Sequence, residues 1–100
     1  MKVYLDDTRD APDGWTRTRT ARETIALVAA GGVEHLSLDH DLGEDIADVG
    51  TGYDVLLWIE EAVATRGFVP PLRIDVHSTN SGARPKMEAA IVSIRRFTAR

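Results

Sequence analysis

The chain has 100 residues, with 12 Lys and Arg against 16 Asp and Glu, giving a formal net charge of −4. This length predicts one domain with a modest core, and the acidic balance excludes non-specific nucleic-acid binding unless basic side chains are concentrated locally. No cysteine is present, which excludes disulfides, thiolate metal sites and cysteine nucleophiles. No apolar run approaches the ~20 residues of a membrane span and no signal-peptide pattern opens the chain, so we expect a cytoplasmic protein without membrane contact.

The first 20 residues predict two short strands separated by a turn. Val3 and Leu5 alternate with polar neighbours, which is typical of a half-buried strand. Residues 11–14, Ala-Pro-Asp-Gly, have the chemistry of a turn. Residues 15–20, in which Thr alternates with Arg after Trp15, predict a polar edge strand, whose direction relative to the first strand stays open.

A helix is predicted to begin after Thr20. Thr20 and Glu23 have the spacing of a capping box, and the helix is expected to continue to about Ala30. Gly31 and Gly32 follow, as is common where a helix ends. The buried stripe of this helix is predicted to contain Ala21, Ile25, Val28 and Ala29.

The central stretch, residues 35–43, predicts a strand that runs into a group of ionisable side chains. Leu36 and Leu38 alternate with polar residues, and residues 39–41 (Asp-His-Asp) then follow together. Ionisable groups this close repel or compete unless a cation, a proton or a phosphate organises them. Residues 44–52 are rich in Asp and Gly and predict a mobile loop.

The second half of the chain predicts a helix, a strand and a final helix. Residues 53–66 have helical periodicity and end at Gly67, and residues 72–76 alternate as a strand. Residues 81–85 open the last helix, with a proline in its first turn. The apolar positions assigned to these elements are Leu56, Ile59 and Val63, then Leu72, Ile74 and Val76, then Met87, Ile91, Ile94 and Phe97.

Strands that alternate with helices of this length predict a parallel α/β sheet. Strands buried on both faces usually read as continuous apolar runs, whereas the three main strands here all alternate. We therefore expect the helices to cover one face of the sheet and the other face to be bare or paired. This interpretation predicts a two-layer arrangement, with a possible homodimer through the open sheet face.

Polar clusters follow all three main strands. Asp6 and Asp7 follow the first strand, residues 39–41 follow the central strand, and residues 77–80 (His-Ser-Thr-Asn) follow the strand at residues 72–76. Ligands of open parallel sheets bind beyond the carboxyl ends of the strands. This repeated placement is the main functional signal in the sequence, although solvated loops and turn caps would also account for each cluster taken alone.

The chain resembles the cyclic-phosphate processing receiver-like domain, a truncated branch of the two-component receiver (CheY-like) fold. The resemblance implies a flavodoxin-like sheet of about four mainly parallel strands, with three helices mostly on one face, in a single domain over residues 1–100. It also implies action on cyclic phosphate ends, since that branch is associated with RNA repair. The segments that carry the resemblance are Leu5-Asp6-Asp7-Thr8-Arg9, residues 37–43, Gly52-Tyr53-Asp54 and residues 77–82 with Met87 beyond them.

Two departures from a full receiver bear on function. A full receiver has a helix between its acidic pair and its second strand, whereas only Asp7 to Trp15 stand there in this chain. A full receiver also has a fifth strand that carries a lysine and a further helix, which this sequence lacks after its last predicted helix. These departures disfavour an ordinary phospho-aspartate switch and still allow a metal-dependent phosphate site.

The resemblance implies roles for individual residues in a metal-dependent phosphoesterase. The implied cation is Mg²⁺ or Mn²⁺, and the implied substrate is a phosphate-containing small molecule or a nucleotide or RNA end. Asp39, His77 and His40 are the candidate catalytic residues, with the histidines as general acid or base. The candidate metal ligands are Asp6, Asp7, Asp39 and Asp41. The candidate phosphate-binding residues are Ser78, Asn80, Arg9 and Arg84.

Each assignment has a simpler structural alternative. The Asp6-Asp7 pair caps a turn, His40 points to solvent, His77 holds a loop by hydrogen bonding, and the two arginines form ion pairs or lie on the surface. At the level of the whole protein, the alternative is a non-catalytic receiver-like signalling or binding module that binds Mg²⁺ and dimerises.

Overall fold

A computed structural model describes residues 1–99 of the chain. Four strands form one sheet in the order β2-β1-β3-β4, and every neighbouring pair is parallel. This result confirms the predicted parallel α/β class and makes β2 a parallel edge strand. The strands are β1 at Lys2–Leu5, β2 at Thr16–Thr18, β3 at His35–Leu38 and β4 at Arg73–Val76.

Four helices accompany the sheet within the described residues: α1 at Ala21–Ala29, α2 at Ile46–Val49, α3 at Gly52–Arg66 and α4 at Arg84–Thr98. Three of them were predicted from periodicity. The single turn α2 was not, because four residues in an Asp-rich segment give no helical pattern. Between residues 1 and 99, none of these helices has the length and apolar character needed to cross a membrane.

One face of the sheet carries the hydrophobic core. Val3, Leu36 and Ile74 are partners in register across three strands, and each is at most 7% exposed. They belong to one buried cluster with residues of α1, α3 and α4, so the helices that supply the core lie against this face. The predicted helical positions that are fully buried are Val28, Leu56, Ile59, Met87 and Ile94.

Helix capping differs from the prediction in detail. Thr20 does begin α1, and its side chain accepts from the Glu23 amide at 3.2 Å. The Glu23 carboxylate accepts from the Thr20 hydroxyl at 3.2 Å, whereas a full capping box would engage the Thr20 amide. The complete capping box is found instead at Thr51 and Asp54 of α3.

The buried stripe of α1 is shifted from the predicted one. Ala29 is exposed, whereas Thr24 is fully buried. The Thr24 hydroxyl hydrogen bonds to the Thr18 hydroxyl of β2 at 2.7 Å and donates to the Thr20 carbonyl at 2.9 Å. A buried threonine with both hydrogen bonds satisfied behaves as a core residue, which hydropathy alone does not predict.

Within residues 1–99, the other face of the sheet is covered by aromatic rings and hydrogen-bonded side chains rather than by the helices that supply the core. Trp15 packs edge-on against Tyr4, with ring centroids 6.1 Å apart, and against His35 at 4.5 Å. His35 in turn contacts Asp75 at 2.6 Å. The segment before β2 thus returns over this face through Trp15 and covers part of it. The homodimer expected across this open sheet face stays a prediction.

Side chains of α4 bind backbone carbonyls along the outer edge of β4. Arg84, in the first turn of α4, donates to the Val76 carbonyl at 3.3 Å, and Arg95, near the other end, donates to the Leu72 carbonyl at 3.0 Å. Side chains that occupy edge carbonyls discourage pairing with another strand. Leu72 was predicted to face the core, but it precedes the first residue of β4 and is 85% exposed.

Candidate active site at the carboxyl edge of the sheet

The three polar clusters predicted from the sequence meet at one edge of the sheet. The backbone ladder continues one residue beyond β1, β3 and β4, because Asp39 N donates to the Leu5 carbonyl and His77 N donates to the Leu38 carbonyl. This extension brings Asp6, Asp39 and His77 together, with one possible ligand atom from each lying within 4.8 Å of the others. We call these three residues the carboxylate–histidine cluster.

Asp6 is the most rigidly held member of the cluster. It is fully buried, and its Oδ1 accepts from the amides of Thr8 and Arg9 at 2.9 Å each, while its Oδ2 lies 3.1 Å from His77 Nε2. Burial by itself would raise the pKa of Asp6, but the hydrogen bonds from the Arg9 and Thr8 amides and from His77 outweigh it and lower the pKa. Asp6 is therefore an ionised carboxylate whose orientation is fixed by the protein.

Asp39 has the opposite electrostatic balance. Burial raises the pKa of Asp39, and the neighbouring Asp6 carboxylate raises it further. The His40 amide, which donates to Asp39 Oδ1 at 2.9 Å, and the Ser78 side chain only partly oppose this rise. Of the two carboxylates in the cluster, Asp39 is consequently the one whose charge the protein stabilises less.

His77 faces both the cluster and the open side of the sheet. Its Nδ1 lies 2.7 Å from Ser37 Oγ, and its ring stacks on Tyr4 with centroids 4.1 Å apart and planes at 4°. Burial lowers the pKa of His77, against the raising effect of the hydrogen bond to Asp6. The His77 imidazole is therefore neutral at neutral pH. His77, which the sequence predicted as a candidate acid or base, does lie in the cluster.

Asp7 and Asp41, the other two predicted metal ligands, are not members of the cluster formed within residues 1–99. Asp41 instead accepts from the side-chain amide of Asn80 at 3.3 Å and lies 2.8 Å from His40 Nδ1. The hydrogen bond from His40 lowers the pKa of Asp41, with burial opposing it. The ring of His40 is thus held beside Asp41, while the backbone amide of His40 donates to Asp39.

Ser78 and Asn80 lie where the sequence places them, but Asn80 is engaged with the protein itself. Ser78 is 4% exposed, and its Oγ accepts from the Asn80 amide at 3.0 Å. Asn80 Oδ1 accepts from the amides of Gly82 and Ala83 at 3.1 and 3.0 Å. Two of the backbone amides just before α4 are therefore occupied by this side chain.

The two predicted phosphate-binding arginines have different surroundings. Arg9 Nη1 donates to the His77 carbonyl at 3.1 Å and lies 3.9 Å from Asp6 Oδ2, while the Arg9 side chain remains 46% exposed at the rim of the cluster. Arg84 donates to the Ser78 carbonyl at 3.1 Å and to Glu88 at 3.3 Å. Arg9 is well placed to meet a ligand, whereas Arg84 fixes the backbone next to the cluster.

Three residues that shape the cluster were not singled out as site residues from the sequence. Ser37 and Tyr4 hold His77, and their alternation with apolar neighbours predicts which face they occupy but not what they contact. Gly52 lies where a Cβ would come within 1.8 Å of the Asp39 carbonyl oxygen. The absence of a side chain there lets the start of α3 pack directly on the backbone of Asp39.

A cavity of about 410 Å³ lies away from the cluster, near the amino ends of the strands. Its lining includes Val33, Phe68, Val69 and Leu72, and its one ionisable residue is Glu34. Such a lining offers nothing to bind or cleave a phosphate, so the chemistry of the side chains, rather than cavity size, assigns the site.

Comparison with known proteins identifies the family. No curated protein and no solved structure matches the chain significantly. The family model described as the cyclic-phosphate processing Receiver domain matches residues 1–93, which include every member of the carboxylate–histidine cluster. The chain therefore belongs to the cyclic-phosphate processing Receiver domain family.

Proposed function

We propose that the protein is a phosphoesterase that hydrolyses a cyclic phosphate, either on a small molecule or at a nucleotide or RNA end, with the help of Mg²⁺ or Mn²⁺. The observation that carries this proposal is the convergence of Asp6, Asp39 and His77 from three strand ends, in a chain whose family is named for cyclic-phosphate processing. The same edge of a parallel sheet is where ligands of such folds bind.

The residues present fit a divalent cation. Carboxylate oxygens are the ligands that Mg²⁺ and Mn²⁺ prefer, and Asp6 and Asp39 supply them from neighbouring strands. The raised pKa of Asp39 beside Asp6 is also what a positive charge placed between them would reverse. A cation held by Asp6 and Asp39 would neutralise phosphate oxygens and would lower the pKa of a water bound to it.

Asp6 and Asp39 contribute in different ways. The amides of Thr8 and Arg9 orient Asp6 before any ligand arrives, so binding costs little reorganisation there. Asp39 has fewer donors and is the carboxylate that gains most from a positive charge nearby. Removal of the Asp39 charge is therefore expected to affect ligand binding most strongly.

The phosphate would meet Arg9 and the residues that follow β4. Arg9 is half exposed at the rim, and a guanidinium can bind two phosphate oxygens at once. Ser78 lies beside Asp39, so its hydroxyl is within the same small volume. His77 Nε2 lies in this volume, and an imidazole nitrogen can hold or move a proton near neutral pH. His40 is a second candidate, with its ring beside Asp41.

The direct test is turnover of a 2′,3′-cyclic nucleotide by the purified chain with Mg²⁺ or Mn²⁺. We expect product only when a cation is present, and a loss of at least about 100-fold in kcat/KM in Asp39→Asn, since a cation ligand is removed. Asp13→Asn, which changes an exposed turn carboxylate, is the matched control and should retain full activity. Unchanged activity in Asp39→Asn, or no turnover by the folded protein with either cation, would refute the proposal.

A non-catalytic receiver-like module is the second candidate. The observation in its favour is that both oxygens of Asp6 already have protein partners, so the carboxylate is stable without a ligand. Stable phosphorylation of Asp39 by a small phosphodonor such as acetyl phosphate, with no hydrolysis of cyclic nucleotides, would support this candidate. Phosphorylation of the wild type that persists in Asp39→Asn would argue against it.

A further inference from the structure

Both nitrogen atoms of His77 have defined partners. Nε2 lies 3.1 Å from Asp6 Oδ2, and Nδ1 lies 2.7 Å from the hydroxyl of Ser37, a residue of β3 that is 7% exposed. The ring is also stacked on Tyr4 at 4.1 Å. The orientation of this imidazole is thus fixed from three sides, and Nε2 is the nitrogen aimed into the carboxylate–histidine cluster.

The partners determine where the imidazole proton lies. An ionised carboxylate can only accept, so Nε2 carries the proton in the contact with Asp6, and Nδ1 accepts from Ser37. A nitrogen that binds a cation must offer its lone pair, which requires the proton to be on the other nitrogen. Ligation through Nε2 would therefore transfer the proton to Nδ1, leaving the ring neutral with no proton gained or lost.

Ser37 can serve His77 in either state. A serine hydroxyl both donates and accepts, so the same contact can receive the Nδ1 proton after a rotation of the hydroxyl hydrogen alone. Because Ser37 is buried, its hydroxyl rather than bulk water is the partner of Nδ1. Histidine ligands in metal sites characteristically donate their second N–H to a neighbouring acceptor, and this contact fixes the tautomer and the ring orientation.

We infer that His77 binds the cation directly through Nε2, and that Ser37 is the positioning residue that makes this ligation possible. The inference rests on the cation site of the proposed function and changes its composition. Two carboxylate oxygens and one imidazole nitrogen replace the all-aspartate set expected from the sequence. An imidazole in the ligand set favours a transition-metal ion such as Mn²⁺ over Mg²⁺, which prefers oxygen ligands and water.

The test is pulsed electron paramagnetic resonance of the full chain with one equivalent of Mn²⁺. A directly bound imidazole couples its ¹⁴N nucleus to the Mn²⁺ electrons, and we expect this coupling in the wild type and its replacement by a ¹⁵N pattern after ¹⁵N-histidine labelling. His77→Gln should lose the coupling. Bound Mn²⁺ with no nitrogen coupling in the wild type would overturn the inference, as would coupling that persists in His77→Gln.

The role of Ser37 is tested by affinity. Ser37→Ala should weaken Mn²⁺ binding by about 10-fold or more, as expected when the partner of a ligating histidine is removed, and Ser37→Thr should restore most of it. Since Mg²⁺ depends less on the nitrogen, its affinity should change less. Equal losses for Mn²⁺ and Mg²⁺, or no loss in Ser37→Ala, would show that Ser37 does not position His77 for ligation.

A matched control is available on the same face of the sheet. His35 is also a strand histidine, and it pairs with Asp75 at 2.6 Å outside the cluster. His35→Gln should leave both the nitrogen coupling and the Mn²⁺ affinity unchanged, and a loss in this variant would mean that the coupling arises elsewhere. Nitrogen coupling without turnover would refute the proposed hydrolysis alone, whereas metal-dependent turnover without coupling would refute only this inference.

Discussion

The face of the sheet that carries α1, α3 and α4 differs from the opposite face in what fills it. The helix-covered face is closed by aliphatic side chains such as Val3, Leu36 and Leu56, each fully buried. The open face is instead covered by polar and aromatic side chains that hydrogen bond or stack with each other, including Tyr4, Ser37 and His77. We therefore expect the helix-covered face to supply most of the folding stability. The side chains of the open face position His77 in the carboxylate–histidine cluster.

This difference predicts that core truncation on the helical face has the largest effect on folding. Leu56→Ala removes a fully buried side chain from α3 and should cost about 3 kcal/mol of unfolding free energy, from lost burial and the cavity left behind. Val92 of α4 is 50% exposed, and Val92→Ala should cost under about 0.5 kcal/mol. Urea denaturation measures both, and equal losses would contradict the assignment of the core to this face.

The contact between α3 and Asp39 couples the helical layer to the cluster. In Gly52→Ala the new Cβ would meet the Asp39 carbonyl oxygen at 1.8 Å and Met87 at 2.9 Å, so backbone must move at a cost of about 2 kcal/mol. We expect Gly52→Ala to remain folded but to lose most of its turnover, because the displaced backbone carries Asp39. Gly67→Ala is the control: it meets nothing within 4 Å and should cost only about 1 kcal/mol for its φ of 64°.

Full activity in Gly52→Ala would show that the start of α3 does not set the position of Asp39. Stability and activity should therefore be measured on the same preparation, so that a folded but inactive protein can be distinguished from an unfolded one.

On the open face, ring contacts are expected to matter more for the cluster than for folding. Tyr4→Leu removes the stack on His77 and the edge contact with Trp15, and should cost about 1 kcal/mol of stability. Tyr4→Phe retains the ring and should behave like the wild type. Nuclear magnetic resonance of the His77 ring nitrogens should change in Tyr4→Leu only. An unchanged His77 spectrum in Tyr4→Leu would refute the role given to the stack.

Removal of the Asp39 charge is expected to change thermal stability by a smaller amount, and to increase it rather than decrease it. The pKa of Asp39 is raised in the folded state, mainly by burial, so its contribution to stability is fully present below its unfolded pKa of 3.8 and is lost as pH rises through the folded value. Without divalent cations, Asp39→Asn should therefore raise Tm at pH 7 and give no gain at pH 3. Thermal melts at both pH values measure this, and a lower Tm at pH 7 would contradict the electrostatic account.

Asp6 should respond to pH in the opposite way. Its pKa is lowered in the folded state, because hydrogen bonds from the Arg9 and Thr8 amides and from His77 overcome its burial. Its contribution is present above the unfolded pKa of 3.8 and is lost as pH falls through the lower folded value. Asp6→Asn should therefore destabilise at pH 7, which distinguishes the two carboxylates in one set of melts.

Much of this architecture could be predicted from the sequence, because the alternation of apolar and polar residues in each strand agrees with a sheet that helices cover on one face. The alternation in Lys2–Leu5, His35–Leu38 and Arg73–Val76 predicted one covered face, and the polar residues after each strand predicted the convergence at the carboxyl edge. The family match over residues 1–93 confirms the resemblance inferred from four short segments.

What the sequence did not predict depends on contacts between elements. Asp6 and Asp7 are adjacent in sequence, and the buried carboxylate is the one that accepts from the amides of Thr8 and Arg9, a contact that no local pattern indicates. Similarly, no local pattern indicates that Asn80 would occupy the amides before α4, or that Ser37 would reach His77 across 40 residues of sequence. Thr24 was missed because a threonine is buried only when a partner such as Thr18 satisfies its hydroxyl.

We propose that Asp6, Asp39 and His77 together bind one divalent cation. Crystals soaked in Mn²⁺ and measured at the manganese absorption edge test it most directly. We expect one strong anomalous peak within about 2.5 Å of a carboxylate oxygen of Asp6 and of Asp39, with His77 Nε2 at a similar distance. A peak at another place on the molecule, with none between these two carboxylates, would contradict it.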